Sequence, residues 1–306
     1  MATGISWTDE TWNPLRGCRR VSPCCEHCYA ERMAVRIVAM GGKGALGYAP
    51  VVDGKRWSGK ANAAEVRTLL QPTRWRKPRK TFVGSMTDLF YEGHSDAHID
   101  RVWAVIGMCG WWRPGHETQP PHIFQVLTKR PKRMSRYLND SGTRERIISA
   151  AAGIDSLSFW HGSLPACRLV EHQGWPFSHV WCGTSVEDEQ RAAERIPWLR
   201  ETPAAVRFVS FEPLLGPVMH EWMLGLDWAI VGGESGPGAR PMQREWVDEL
   251  LRGCQVLGAP FFFKQWGAVV GHGGDRIDGH LWQQFPPDPV PPDVAAMVGF
   301  RGGEEG

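Results

Sequence analysis

No apolar run in these 306 residues approaches the length of a membrane-spanning helix, which argues against insertion in a bilayer. The start, Met1-Ala2-Thr3-Gly4-Ile5-Ser6, lacks the basic and apolar regions of a signal peptide. The expected location is the cytoplasm, where cysteines stay reduced. Charge of one sign is missing too: 35 Lys and Arg against 33 Asp and Glu leave a net +2, too little to diagnose a polyanion partner. None of the eleven histidines falls in an HExxH or other metal spacing. Gly232-Gly233-Glu234-Ser235-Gly236 has neither the GxGxxG pattern nor a Walker lysine, which weakens a phosphate-loop reading. What remains, with 42% hydrophobic and 22% charged residues, is a globular chain long enough to bury a large core. Its sixteen tryptophans are either core filler or stacking surface, and their number does not decide between the two.

Cysteine is plentiful and badly spread. Four of the eight fall between Gly17 and Tyr29, in Gly17-Cys18-Arg19-Arg20-Val21-Ser22-Pro23-Cys24-Cys25-Glu26-His27-Cys28-Tyr29. Cys25 and Cys28 form a CxxC pair, with Cys18 seven residues upstream. Three thiolates on a short loop suit zinc or an iron–sulfur cluster and leave one metal position open. A structural zinc module would normally bring a second CxxC pair, whereas Cys109, Cys167, Cys182 and Cys254 are isolated. Both metals stand at this point, and Cys24 competes with Cys25 as the middle ligand.

A triad ending in CxxC, with the ring-bearing His27 just before the last cysteine, resembles the radical S-adenosylmethionine superfamily. The usual first spacing there is three residues; here the pattern is Cys18-x6-Cys25-x2-Cys28. Ser6-Trp7-Thr8, Thr11-Trp12-Asn13-Pro14 and Cys28-Tyr29-Ala30-Glu31-Arg32-Met33 are similar to a branch of that superfamily frequent in bacteriophages and prophages, and the likeness extends over roughly residues 5–267. The resemblance implies a [4Fe-4S] cluster on Cys18, Cys25 and Cys28, with S-adenosyl-L-methionine chelated at the open iron. It also implies an electron donor of the flavodoxin or ferredoxin type. The reaction it implies is reductive cleavage to a 5′-deoxyadenosyl radical that abstracts hydrogen from a substrate.

Short apolar strands with polar tips, alternating with amphipathic helices, organise the rest. The stretches 81–86, 122–127, 180–183, 206–211, 228–231 and 260–263 read as buried strands, and 31–40, 187–199 and 244–257 as helices. The fold expected is α/β, a partial (β/α)6-type parallel barrel of the radical SAM kind. A doubly wound sheet is the alternative. Residues 139–178 break the rhythm and read as an insertion or lid. The barrel domain spans 1–267 with its cluster loop at 17–29; an extension follows over 268–306, rich in Pro and Gly and loose from about 286.

Polar strand tips line the site in such barrels. By the resemblance, Ser85, Thr87 and Asp88 stand where the methionine amino group is held, though the family's usual Gly-Gly-Glu is absent there. Ser185 and Glu187 stand where ribose and carboxylate are contacted. Glu212 and Glu234 end the next two strands, and Lys129 is placed to pair with a carboxylate. A lone acid at a strand end is, in general, more often a helix cap or a surface ion pair. Two basic runs, Arg74–Lys80 and Lys129–Arg136, suggest DNA or a nucleotide as substrate, such as a thymine derivative in phage DNA modification or repair. Two other functions stay open: a zinc-stabilised nucleic-acid-binding protein without catalysis, and a radical enzyme acting on a peptide or small metabolite.

Overall fold

A computed structural model describes residues 4–111, 119–157, 164–268 and 274–289. Its centre is one seven-stranded sheet: β1 (Glu10–Trp12), β2 (Lys80–Val83), β3 (Ile123–Thr128), β4 (Val180–Ser185), β5 (Val206–Phe211), β6 (Trp228–Gly232) and β7 (Phe261–Gln265). Every neighbouring pair is parallel, and the strands lie side by side in chain order. The order never reverses, which excludes the doubly wound arrangement. Among the described residues β7 does not pair with β1, so the sheet is a half-barrel, an open trough.

Helices supply the crossovers: α1 (Tyr29–Met40), which packs in a separate cluster with Tyr48, Val51 and Met86, and on the convex side α2 (Asp96–Met108), α3 (Pro131–Asn139), α4 (Thr143–Asp155), α5 (Ala166–Glu171), α6 (Glu189–Arg200) and α7 (Arg244–Leu257). The link from β5 to β6 departs from the expected unit, making only a 3₁₀ turn at His220–Met223. Within the expected insertion, α4 and α5 bury Ile147, Ala151, Ile154, Leu169 and Val170 in the same core as Val102, Trp103 and Ile106 of α2. They therefore thicken the helical layer; residues 158–163 of that stretch lie outside the described residues.

The pleat sorts the apolar residues into two separate cores. Phe124 and Val126, Val180 and Cys182, Val209 and Phe211, Ala229 and Val231, Phe261 and Phe263 alternate outward into the large core under the helices. Trp181, Phe208, Trp228, Ile230 and Phe262 alternate inward, where Trp7, packed with Phe82 and Phe285, joins them to form a floor across the trough. Floor rings meet tilted or edge-on, as aromatic quadrupoles prefer: Trp181–Trp228 at 5.6 Å, Phe208–Trp228 at 5.5 Å and Trp7–Phe82 at 4.8 Å.

Residues 280–288 belong to this body. The backbone of Trp282 and Gln284 bonds to Phe263 and Phe261 along the free edge of β7. Phe285 packs at a tilt against Trp228, and Asp288 pairs with Lys80 of β2 at 3.5 Å. The part of the expected loose tail from 290 to 306 lies outside the described residues. No described helix is long and apolar enough to cross a membrane.

Candidate metal and cofactor site at the strand tips

The cysteine loop leaves β1 and lies over the carboxyl ends of the strands, where its fastenings come from. Gly17, with φ of +94°, opens it. A β-carbon there would sit 2.2 Å from the carbonyl oxygen of Lys60, so only glycine fits. The Gly17 carbonyl accepts a hydrogen bond from Thr87 Oγ1 at 2.5 Å, next to a parallel bridge between the two residues. After a 3₁₀ turn over Pro23–His27, α1 begins at Tyr29, immediately behind Cys28.

Each strand tip contributes a distinct contact. Beyond β2, Ser85 bonds to Asn13, and its carbonyl accepts from Tyr29 Oη at 2.9 Å. Asp88 is buried and fully engaged. One carboxylate oxygen accepts from Thr128 Oγ1 (2.6 Å) and Phe90 N–H, the other from Lys129 N–H (2.9 Å) and Arg130 Nη1 (3.0 Å). Burial pushes this carboxyl up, but Arg130 and the other donors outweigh it and hold it below its ordinary value. Arg130 then reaches the loop itself, donating to the Arg19 carbonyl at 3.0 Å and lying 3.9 Å from Cys18 Sγ. Asp88 thus anchors the tip of β3 and the loop above it, with no oxygen left for a ligand.

Beyond β4, Glu187 is fully buried. Its carboxylate accepts from Ser22 Oγ of the loop at 2.5 Å and from Arg195 Nη1 of α6 at 2.9 Å. The helix starts two residues later than expected from sequence, because Asp188 caps it by accepting from Arg191 N–H. Beyond β6, Glu234 takes His27 Nδ1 at 3.0 Å and three donors of Arg240, one at 2.6 Å. Arg240 donates in turn to the Pro23 carbonyl at 3.0 Å. Burial raises the Glu234 carboxyl, yet these bonds win and bring its pKa to about 2.

The inner wall above the floor carries a second set. Lys129 extends from β3 to Ser185 Oγ at 3.3 Å and faces Cys24, Cys25, Cys28 and Glu187. Burial works against its charge, but those thiols and the carboxylate more than compensate and keep it cationic. Glu212 and Lys264 form an ion pair that spans β6. Gly232 on that middle strand makes room, since a β-carbon there would meet Lys264 Cβ at 3.3 Å and Glu212 Cγ at 3.6 Å.

The thiols differ from one another. A hydrogen bond from Cys24 lowers the Cys25 pKa to about 5 despite burial, helped by Lys129 and by backbone bonds at Val21 and Ser22. Cys24 is raised by that same bond and by burial, and burial pushes Cys18 up to about 12. A thiolate is the metal ligand, and Cys24 and Cys25 are adjacent candidates for the middle position. Ligands of one tetrahedral zinc ion, at about 2.3 Å each, sit about 3.8 Å apart. Among the described residues no three-ligand set containing a cysteine lies within 4.8 Å. Three soft donors beside a fixed cation suit zinc or an anionic iron–sulfur group.

Of the sequence-nominated residues, Ser85, Thr87, Asp88, Glu187 and Glu234 are spent holding the loop or its neighbours, while Lys129, Ser185, Glu212 and the cysteines face the trough. Arg130, Arg240, Ser22, Asn13 and Lys264 complete the arrangement and were not singled out as site residues. Much of the basic run 129–136 is engaged within the fold, although Lys132 and Arg136 stay exposed. Arg133 donates to the carbonyls of Tyr91 and His94, and Lys132 and Arg136 lie over the Trp198 ring. Arg74–Lys80 enters β2 from its amino end, on the far side of the floor from the cysteines.

Fold and site together define an α/β protein with a parallel half-barrel and a cysteine-rich loop fixed to the carboxyl ends of its strands. The chain belongs to the family described as "Protein of unknown function (DUF5131)", matching it over residues 2–286. No curated protein and no solved structure matches it significantly.

Proposed function

We propose that this protein is an iron–sulfur enzyme of the radical S-adenosylmethionine class. Cys18, Cys25 and Cys28 would hold a [4Fe-4S] cluster, and the inner wall of the trough would receive the cofactor and substrate. The observation that carries the reading is the attachment of the cysteine loop to the tips of β2, β3, β4 and β6, with Lys129 facing the thiols from within. The chemistry such a cluster would supply when bound is one electron to the sulfonium C–S bond, which would yield methionine and a 5′-deoxyadenosyl radical able to take a hydrogen atom from the substrate.

The remaining work falls to the chain. Lys129 supplies the positive charge that an anionic cluster or the cofactor's carboxylate needs in a half-buried place. The Ser185 hydroxyl, bonded to Lys129, offers a polar contact at the same level of the wall. Thr87, Arg130, Ser22, His27 and Arg240 orient the ligand loop through their bonds to it or to its supports. The aromatic floor seals the lower end against water, which protects a reactive radical from stray hydrogen donors.

Anaerobic purification with iron and sulfide assay, followed by dithionite and S-adenosylmethionine, tests this. Release of 5′-deoxyadenosine is expected, with loss of both iron and product in Cys25→Ala and in Cys28→Ala. Stoichiometric zinc with no iron, and no cleavage after reconstitution, would overturn it.

A further inference from the structure

We propose that the face around the cysteine loop binds the phosphate backbone of a nucleic acid, presenting a base to the trough. Residues 16–60 carry nine lysines and arginines against three acids, a local charge of +6 in a chain whose total is +2. Two of those acids are already used, Glu31 by Arg20 and Glu26 by Arg240. On the adjoining rim, Glu92 is paired with Arg130. Among the described residues, the exposed Arg19, Arg32, Arg36, Lys55, Arg56 and Lys60 have no carboxylate within ion-pair distance.

These cations come from three pieces that pack together, the cysteine loop, α1, and the hairpin of Val52–Asp53 with Arg56–Trp57, and from Lys60 just beyond the hairpin. Trp57 N–H donates to Glu31 of α1 at 3.0 Å, and Trp57 packs with Ala30 and Ala34. At about 100° per residue, Tyr29, Arg32, Met33, Arg36 and Met40 share one stripe of α1 roughly 100° wide. All five are exposed, none is acidic, and the stripe begins directly behind Cys28. Tyr29, 44% exposed at its head, has its hydroxyl tied to Ser85 and its ring available for stacking.

The pattern fits phosphates better than an acidic protein. The charges spread over a broad face and include lysines, which protein interfaces deplete, whereas backbone contacts need such an array and carry no base identity. A base must leave its stack to reach a recessed centre, so a single strand or an extruded nucleotide is the form admitted. The other exposed basic run is poorly suited. Arg74, Arg76 and Lys77 lie below the floor, and the Trp75 ring beside them is covered by Arg79 and His122.

The link to chemistry rests on the proposed radical function, but binding can be measured without it. Anisotropy of a labelled single-stranded DNA of about 20 nucleotides is read on the anaerobically purified full chain, over a range of salt. Binding is expected to weaken steeply with salt. The variant Arg36→Glu/Lys55→Glu/Lys60→Glu should lose about tenfold or more in affinity and flatten the logarithmic salt slope by about 2. Arg74→Glu/Lys77→Glu should change affinity by less than about twofold. Absence of saturable binding at low salt overturns the proposal, as does a loss confined to the second variant. Cleavage of S-adenosylmethionine without DNA binding would keep the enzyme and discard this substrate class. DNA binding without cleavage would do the reverse.

Discussion

Inward positions of the same strands change character over a single pleat. Low in the trough they are Trp181, Phe208, Trp228 and Phe262, packed ring on ring. One inward position higher they are Gly183, Ser210 and Lys264, with Ile230 still in the floor, and at the rim Ser185, Glu212 and Gly232. The floor is held by buried apolar area and has no titratable side chain. The rim is held by charged hydrogen bonds between residues distant in sequence. Two regions of one sheet therefore respond to different disturbances.

Replacing a floor ring gives the largest effect. Trp228→Ala should cost about 4 kcal/mol in urea unfolding through the cavity it leaves, while the folded fraction keeps the iron proposed for the loop. Loss of iron in proportion to stability would mean that floor and rim are one unit. At the rim, Asp88→Ala leaves Arg130 without its buried partner and should cost about 3 kcal/mol. It should also lower iron retention, because the same arginine holds Arg19. Intact iron content would remove Asp88 from the support of the loop.

Acid sharpens the contrast. His94 is buried, and burial lowers its pKa to about 4. Thr87 gives its proton to Gly17, so it accepts from His94 Nε2–H, and a proton on Nδ1 would find no acceptor among the described residues. The unfolded chain therefore binds the proton first, and stability falls as pH drops through the window between 6.5 and 4. The expected loss is about 1 kcal/mol from pH 7 to pH 5.5 and about 3 kcal/mol by pH 4. His94→Gln should abolish that slope; an unchanged slope would place the acid sensitivity elsewhere. Glu234, held near 2, keeps its charge throughout this window, so its clamp on His27 and Arg240 is not what acid releases.

Much of the architecture was legible because buried parallel strands read as short apolar runs with polar tips. Val206–Phe211 and the helix Arg244–Leu257 begin and end where expected. The two cores were not legible, since a run such as Val180-Trp181-Cys182-Gly183 looks equally apolar on both faces. At the rim, Asp88, Glu187 and Glu234 were visible as acids at strand ends. Their partners were not: Arg130, Ser22 and His27 stand 42, 165 and 207 residues away in the chain. Arg130 was hidden further inside a basic run that read as a phosphate surface, when burial and Asp88 give it a structural task. The cationic face of residues 16–60 escaped notice because its charges are interleaved with cysteines, glycines and apolar residues and become one surface only after the hairpin folds onto α1.

The packing of Trp7 and Phe285 into one floor also fixes a sequence of events during synthesis. Contacts between segments far apart in sequence form slowly, and on the ribosome they must wait for the later segment. Early strands can pair and collect their helices while later ones are still being made, but the trough has no sealed base until residue 285 emerges. Any group sensitive to water or oxygen is thus best installed after translation has passed that point.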